Sequence, residues 1–125
     1  MKLIDTTVAV DHLRGAAPAV ELLHRLVEND EEVAASEIVR FELLAGVRDG
    51  ELEALERFAS ALSWIPVGED VARTAGALAR AHRKAHGGID DADYLIAATA
   101  IVLDAELLTT NVRHFPMLAG LRPPY

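Results

Sequence analysis

Short apolar segments of strand length alternate along this chain with longer segments whose apolar residues recur at helical spacing. Strands are predicted over residues 2–5, 33–35, 63–67 and 107–109. Helices are predicted over residues 6–14, 18–28, 37–45 with Ser36 as N-cap, 52–62, 70–86, and from Asp90 or Asp91 to about residue 103. Strands that alternate with helices form a parallel sheet covered on both faces. The pattern therefore predicts an α/β fold, and no linker divides the expected single domain of residues 1–125.

Composition narrows the class of protein. The chain has 125 residues and no cysteine, which excludes disulfides, thiolate zinc sites and a cysteine nucleophile, and fits a cytoplasmic protein. No targeting segment is expected, and the uncharged apolar stretch at 94–103 is too short to cross a membrane. The formal net charge of −8 argues against nucleic-acid binding by charge alone. A polyanionic substrate would need metal ions or local basic patches.

Three carboxylates occupy positions that are otherwise apolar. Asp5 ends the first predicted strand, Glu42 interrupts an apolar helix, and Asp93 opens another apolar helix. Isolated buried carboxylates are costly unless they are neutralised, paired or bound to a metal. Ligands of parallel sheets bind beyond the carboxyl ends of the strands, where these residues are expected. The pattern predicts a site for a hard divalent cation and favours a metal-dependent nuclease.

Two of these carboxylates have an ordinary structural alternative. Asp5 would serve equally well as the N-cap of the helix that follows it. Glu42 is predicted to lie on the apolar side of its helix, away from Arg40. If Glu42 pairs with a basic side chain, that partner must come from elsewhere in the fold.

Asp90, Asp91 and Asp93 crowd the start of one helix. Anions at a helix N-terminus gain about 0.3–1 kcal/mol each from the helix dipole. That gain accounts for one or two of the three, and the remaining repulsion between like charges favours a bound cation. Asn111 follows the last predicted strand, where it is either a metal-site oxygen donor or a turn residue.

Basic residues are concentrated near the end of the predicted helix 70–86. His82 and His86 are four residues apart, as in some zinc sites, but no acidic residue lies between them to act as general base. The segment is interpreted as a solvated helix face or as a phosphate-contacting patch, with these members: Arg80, His82, Arg83, Lys84 and His86. His12, His24 and His114 have no evident local partners. No phosphate-binding glycine-rich loop, dinucleotide fingerprint or nucleophile elbow is present.

The order of these motifs resembles a known family. The matching pieces are Asp5-Thr6-Thr7 with residues 10–15, residues 36–46 around Glu42, residues 93–100 from Asp93, and residues 108–111 with Phe115. Together they are similar to PIN-domain ribonucleases, specifically the VapC-type toxins of toxin–antitoxin pairs. Four modest pieces in the same order along nearly the whole chain make the resemblance specific.

The resemblance implies a three-layer α/β/α sandwich with a central, mainly parallel sheet. It implies an endoribonuclease that depends on Mg²⁺ or Mn²⁺, is bound by a cognate antitoxin and forms a homodimer. Asp5, Glu42 and Asp93 fall on the catalytic, metal-binding acidic positions of the family, with Asp90 and Asp91 as candidates for additional ligands. Thr6 and Asn111 are expected to position ligands or substrate.

Two departures from the family pattern bear on the number of metal ions. Asn111 stands where many relatives carry Asp, and His114 stands where relatives often carry another acid. A catalytically inactive PIN domain that binds an antitoxin or RNA is therefore the alternative function. A phosphorylated receiver domain is disfavoured because no lysine follows Lys84.

Overall fold

A parallel sheet of four strands forms the centre of the computed structural model, which describes residues 1–125. The strands are β1 (Lys2–Ile4), β2 (Val33–Ser36), β3 (Ser63–Ile65) and β4 (Glu106–Leu108). Their order is β3-β2-β1-β4, and every neighbouring pair is parallel. In the central strand, Leu3 pairs with Ala34 on one side and Leu107 on the other. The predicted parallel sheet is confirmed.

Six α-helices cover the sheet and give the three layers of an α/β/α sandwich. They are α1 (Thr6–Leu13), α2 (Ala17–Glu28), α3 (Glu37–Gly46), α4 (Leu52–Ser60), α5 (Glu69–His82) and α6 (Asp91–Leu103). A 3₁₀ turn follows β4 at Val112–His114. No helix is both long enough and apolar enough to cross a membrane.

Helix α5 ends four residues earlier than the sequence predicts, at His82 instead of His86. Residues 83–88 are exposed and provide no large apolar side chain to bury, and Gly88 has a φ of 85°. Tertiary packing thus does not extend the helix beyond its apolar stripe. The prediction that His82 and His86 lie on one helix is wrong, although their ring centroids are 5.9 Å apart.

The core is mainly aliphatic and is centred on β1 and α6. Leu3 and Ile4 in β1 are fully buried, as are Ile96 and Ala97 in α6. They belong to a core cluster of 18 buried residues that also includes side chains from β2, β4 and the flanking helices. Burial of α6 nearly all round agrees with its continuously apolar sequence.

Side-chain caps begin the three helices associated with the acidic residues. Asp5 caps α1, accepting a hydrogen bond from the backbone N–H of Thr6 at 2.8 Å. Ser36 caps α3 by accepting from Ile38 N at 3.1 Å, and Asp90 caps α6 by accepting from Asp93 N at 3.0 Å. β1 accordingly ends at Ile4, so that Asp5 lies just outside the strand. The starts of α1 and α3 thus lie directly at the carboxyl ends of β1 and β2, whereas α6 starts after a loop.

We predict that Ser36→Ala destabilises the protein by about 0.5–2 kcal/mol, because the substitution removes the N-cap of α3. Ser36 is fully buried, so water has poor access to the freed N–H. Urea unfolding would measure the loss. Ser60→Ala is the matched control, since the exposed Ser60 hydroxyl only donates to the carbonyl of Arg57. Equal stability losses in the two variants would contradict the assigned role of the cap.

Candidate functional site

Asp5 is the buried centre of a hydrogen-bonded cluster at the carboxyl edge of the sheet. It is 4% exposed, and its Oδ2 accepts a hydrogen bond from the Thr109 hydroxyl at 2.6 Å, while Thr7 Oγ1 lies 3.4 Å away. Thr109 directly follows β4, the strand beside β1. Burial raises the pKa of Asp5, and the hydrogen bonds from Thr109, Thr6 and Thr7 only partly oppose that rise.

Glu42 is joined to Asp5 through Thr6. The Thr6 hydroxyl donates to Glu42 Oε1 at 2.7 Å, and the Thr6 backbone N–H donates to Asp5. Glu42 is half-buried, as its position on the inner side of α3 predicts. Arg40 instead binds Glu37, with Nε 2.7 Å from Oε2, and its guanidinium carbon lies 4.1 Å from the centroid of the Trp64 ring. Glu42 therefore has no basic partner.

Asp93 lies in the first turn of α6 and contacts His114. Asp93 Oδ2 is 2.9 Å from His114 Nδ1, and the Asp93 side chain is 13% exposed. Burial raises the pKa of Asp93 to about 6, against the effect of the His114 hydrogen bond. The charges of Asp90 and Asp5 raise the pKa of Asp93 further, which means that Asp93 and Asp5 lie within each other's field.

The structure brings Asp5, Glu42 and Asp93 to one edge of the sheet, and none of them pairs with an Arg or Lys side chain. It contains no group of three His, Asp or Glu side chains already placed to hold one metal ion. Each carboxylate instead has its own hydrogen-bond partner: Thr109, Thr6 or His114. Asp5 and Asp93 have raised pKa values and no Arg or Lys partner, so a cation bound in this region would relieve repulsion.

The remaining candidates have different surroundings. Asp90 is used as the cap of α6, while Asp91 Oδ1 accepts from Arg83 at 2.7 Å. The backbone N–H of Asn111 donates to Thr109 Oγ1 at 3.0 Å. Its side-chain amide makes no hydrogen bond within the chain, so this amide is free for a ligand.

Sequence reasoning missed two contacts of the acidic residues. Thr109 bonds Asp5 across 104 positions, and His114 bonds Asp93 across 21 positions. His114 has no local partner, as expected, and its contact with Asp93 is long-range. The expectation is wrong for His24, whose Nε2 lies 3.0 Å from Oε1 of Glu28 in the same helix. The sequence does place Thr109 at the end of the last predicted strand. A contact with Asp5 could be predicted from that position only if the strand order, with β4 beside β1, were known.

Comparisons with known proteins agree with this geometry. Residues 2–121 match the PIN domain family. Ribonuclease VapC19 of Mycobacterium tuberculosis is 69% identical over 125 residues, which cover 100% of both chains. A toxin–antitoxin complex from Klebsiella pneumoniae contains a chain with a TM-score of 0.82 and 27% identity, covering 100% of this chain and 98% of that one.

A second solved structure is VapBC2 from Rickettsia felis, bound to a DNA fragment from their promoter. Its matching chain has a TM-score of 0.82 and 28% identity, with coverage of 96% of this chain and 94% of that one. The family match spans nearly the whole sequence, and the fold has the parallel sheet expected of the family. This chain belongs to the PIN-domain family and, within it, to the VapC group.

Proposed function

We propose that this protein is a divalent-metal-dependent endoribonuclease that acts in the cytoplasm as the toxin of a toxin–antitoxin pair. The observation that carries the proposal is the pair of shielded carboxylates, Asp5 and Asp93, which have raised pKa values and no Arg or Lys partner, His114 being the one basic side chain in contact with Asp93. In a PIN fold whose full-length relative is a named ribonuclease, this pair is best explained as cation-binding. Mg²⁺ or Mn²⁺ suits the all-oxygen donor set.

Asp5 and Asp93 would hold the ion, with Glu42 as a further ligand. Bound there, Mg²⁺ or Mn²⁺ would lower the pKa of water and offset the charge on the scissile phosphate. Thr109 and Thr6 fix Asp5 through its two carboxylate oxygens, and Thr6 also holds Glu42. His114 orients Asp93. The free amide of Asn111 is suited to donate to a phosphate oxygen.

A non-catalytic role is the alternative function. It is favoured by the separate hydrogen-bond partners of the three carboxylates and by Asn111 at the fourth family position. In that case the domain would bind an antitoxin or RNA without cleaving it. Metal-titrated cleavage of a broad RNA panel separates the two functions.

The proposed antitoxin should compete with metal. The related structures include complexes of toxin with antitoxin. Because no Arg or Lys of this chain pairs with the acidic edge, an Arg or Lys of the antitoxin near Asp5 and Asp93 would neutralise it. A homodimer is also proposed, through apolar side chains that stay exposed at Val67, Ile101 and Val102.

We predict that Asp5→Asn and Asp93→Asn each reduce RNA cleavage by at least about 100-fold without unfolding the domain. Asn retains the cap at residue 5 but removes the charge that a cation requires. Thr6→Val should act more mildly and lower metal affinity by about 10–100-fold, because it only frees Glu42. Excess Mn²⁺ should therefore rescue Thr6→Val and leave the two Asn variants inactive. Full cleavage by Asp5→Asn in a nuclease-free preparation would disprove the site.

We also predict that, with EDTA, Asp93→Asn is more stable than the parent protein at pH 7. A raised pKa means that the folded state binds this proton more tightly. The associated stability is complete below the ordinary value of 3.8 and is lost as the pH rises through about 6. Removing the charge should thus stabilise the metal-free protein at pH 7 by about 1–3 kcal/mol, and by little below about pH 4. Thermal unfolding at both pH values measures this difference.

Addition of Mn²⁺ should make the parent protein more stable than Asp93→Asn. The parent protein gains stability because the ion binds only its folded state, whereas Asp93→Asn lacks one ligand and gains less. A parent protein that is the more stable of the two in EDTA at pH 7 would argue against unrelieved charge at Asp93.

Finally, Mn²⁺ and the cognate antitoxin should weaken each other's binding. Reciprocal coupling is required if both ligands use the acidic edge. Calorimetric titration of antitoxin with and without saturating Mn²⁺ measures the effect, and the Asp93→Asn protein, with one ligand removed, should show weaker coupling. Identical antitoxin affinities at all Mn²⁺ concentrations would rule out a shared site.

A further inference from the structure

A cluster of basic side chains lies at the end of α5 and in its connection to α6, within a stretch that has no acidic residue. No Asp or Glu occurs between Asp70 and Asp90, although the chain has 20 such residues in total. We call residues 80–86 the basic segment; its basic members are Arg80, His82, Arg83, Lys84 and His86. The protein has a net charge of −8, whereas this segment is positively charged.

The basic segment extends beyond the helix and so is not simply one solvated helix face. Because α5 ends at His82, the segment leaves the helix and continues in the turn that leads to α6. Arg80, Arg83 and Lys84 line one side of an open cleft of about 590 Å³, with Asp91 and Leu95 of α6 on the other side. The cleft therefore runs beside the N-terminal end of α6.

Arg83 ties the segment to the start of α6. Its Nη2 donates to Asp91 Oδ1 at 2.7 Å, and its guanidinium carbon lies 5.5 Å from the centroid of the Tyr94 ring. Asp91 is two residues before Asp93 in the same helix. Because residues two apart in a helix project to different sides, the basic segment lies on another side of the start of α6 from the Asp93 carboxylate, and RNA reaching both would pass over that helix start.

Arg80 and Lys84 retain uncompensated charge. Both side chains are exposed, and neither takes part in an ion pair, whereas Arg83 is paired with Asp91. An acidic catalytic edge repels a polyanion at long range, so an RNA ligand needs positive charge close by. The α5–α6 connection provides these two, while Arg14 and Arg48 line a separate cleft beside Glu42.

We infer that the basic segment is the backbone-binding tract for single-stranded RNA, in which Arg80 and Lys84 contact phosphates that flank the scissile one. This inference rests on the proposed ribonuclease function and assigns the direction in which the substrate leaves the site. Phosphate contacts position a nucleic acid without reading its sequence, so the tract orients RNA and leaves base selection to other parts of the surface. Arg83 acts as a positioning residue through Asp91.

The salt dependence of RNA binding tests the inference. In the Asp93→Asn background, with EDTA to prevent cleavage, fluorescence anisotropy would report the affinity for a labelled single-stranded RNA between low and moderate salt. Loss of two phosphate contacts in Arg80→Ala/Lys84→Ala should reduce the slope of log affinity against log salt by about 1.4, at roughly 0.7 per contact for single strands. Arg80→Lys/Lys84→Arg should retain the parent slope.

Arg25→Ala/Arg57→Ala is the matched control. These two arginines are also exposed and unpaired, and they lie on α2 and α4. The control removes the same total charge and should leave the slope unchanged. Equal slopes in the control and the test variant, whether lowered or not, would overturn the inference. Loss of antitoxin affinity in Arg80→Ala/Lys84→Ala with an unchanged RNA slope would also overturn it, in favour of a protein ligand.

Cleavage kinetics separate this inference from the proposed function. In the otherwise unmodified protein, Arg80→Ala/Lys84→Ala should raise KM for a long RNA while kcat stays within about twofold, because the altered contacts bind ground state and transition state alike. If the parent protein cleaves no RNA with Mn²⁺ or Mg²⁺, the ribonuclease proposal fails, and the binding slopes still decide whether the tract exists. If the parent cleaves RNA and KM is unchanged in the variant, only the tract is disproved.

Discussion

The structure depends on a carboxylate that is kept out of water in the middle of the sheet edge. Asp5 is 4% exposed, yet it receives hydrogen bonds from the backbone of Thr6 and the hydroxyl of Thr109. These donors join the end of β1, the start of α1 and the end of β4. They partly offset desolvation but provide no positive charge, so the fold holds Asp5 in position and leaves its charge uncompensated.

Acidic and basic side chains are unevenly distributed around that edge. The charge of Asp5 raises the pKa of Asp93, while His114 is the one imidazole in contact with Asp93. On the outer side, Arg83 neutralises Asp91 and connects the acidic helix start to exposed cations. A protein that is negative overall thus has a local group of exposed cations at the start of the helix that carries Asp93, as the proposed RNA-binding tract requires.

The sequence predicted the fold better than the details of the site. Alternating strand and helix patterns identified the parallel sheet, and cap residues such as Ser36 located helix starts because their chemistry is local. Helix α5 was predicted to continue to His86 because the glycine pair 87–88 follows there, whereas its actual length follows burial and it ends at His82. The Thr109–Asp5 and His114–Asp93 contacts were missed because they depend on strand order and loop path, which periodicity does not encode.

The hydroxyl and amide donors on Asp5 also limit how it can serve as a ligand. Oδ1 already accepts from Thr6, and Oδ2 accepts from Thr109 with Thr7 close by. Since each carboxylate oxygen has about two acceptor positions, little capacity remains for chelation through both oxygens. Such single-point attachment suits a small ion that keeps most of its hydration water, and it disfavours Ca²⁺, which gathers many oxygen ligands. Ion choice would then be decided by threonines that never touch the ion.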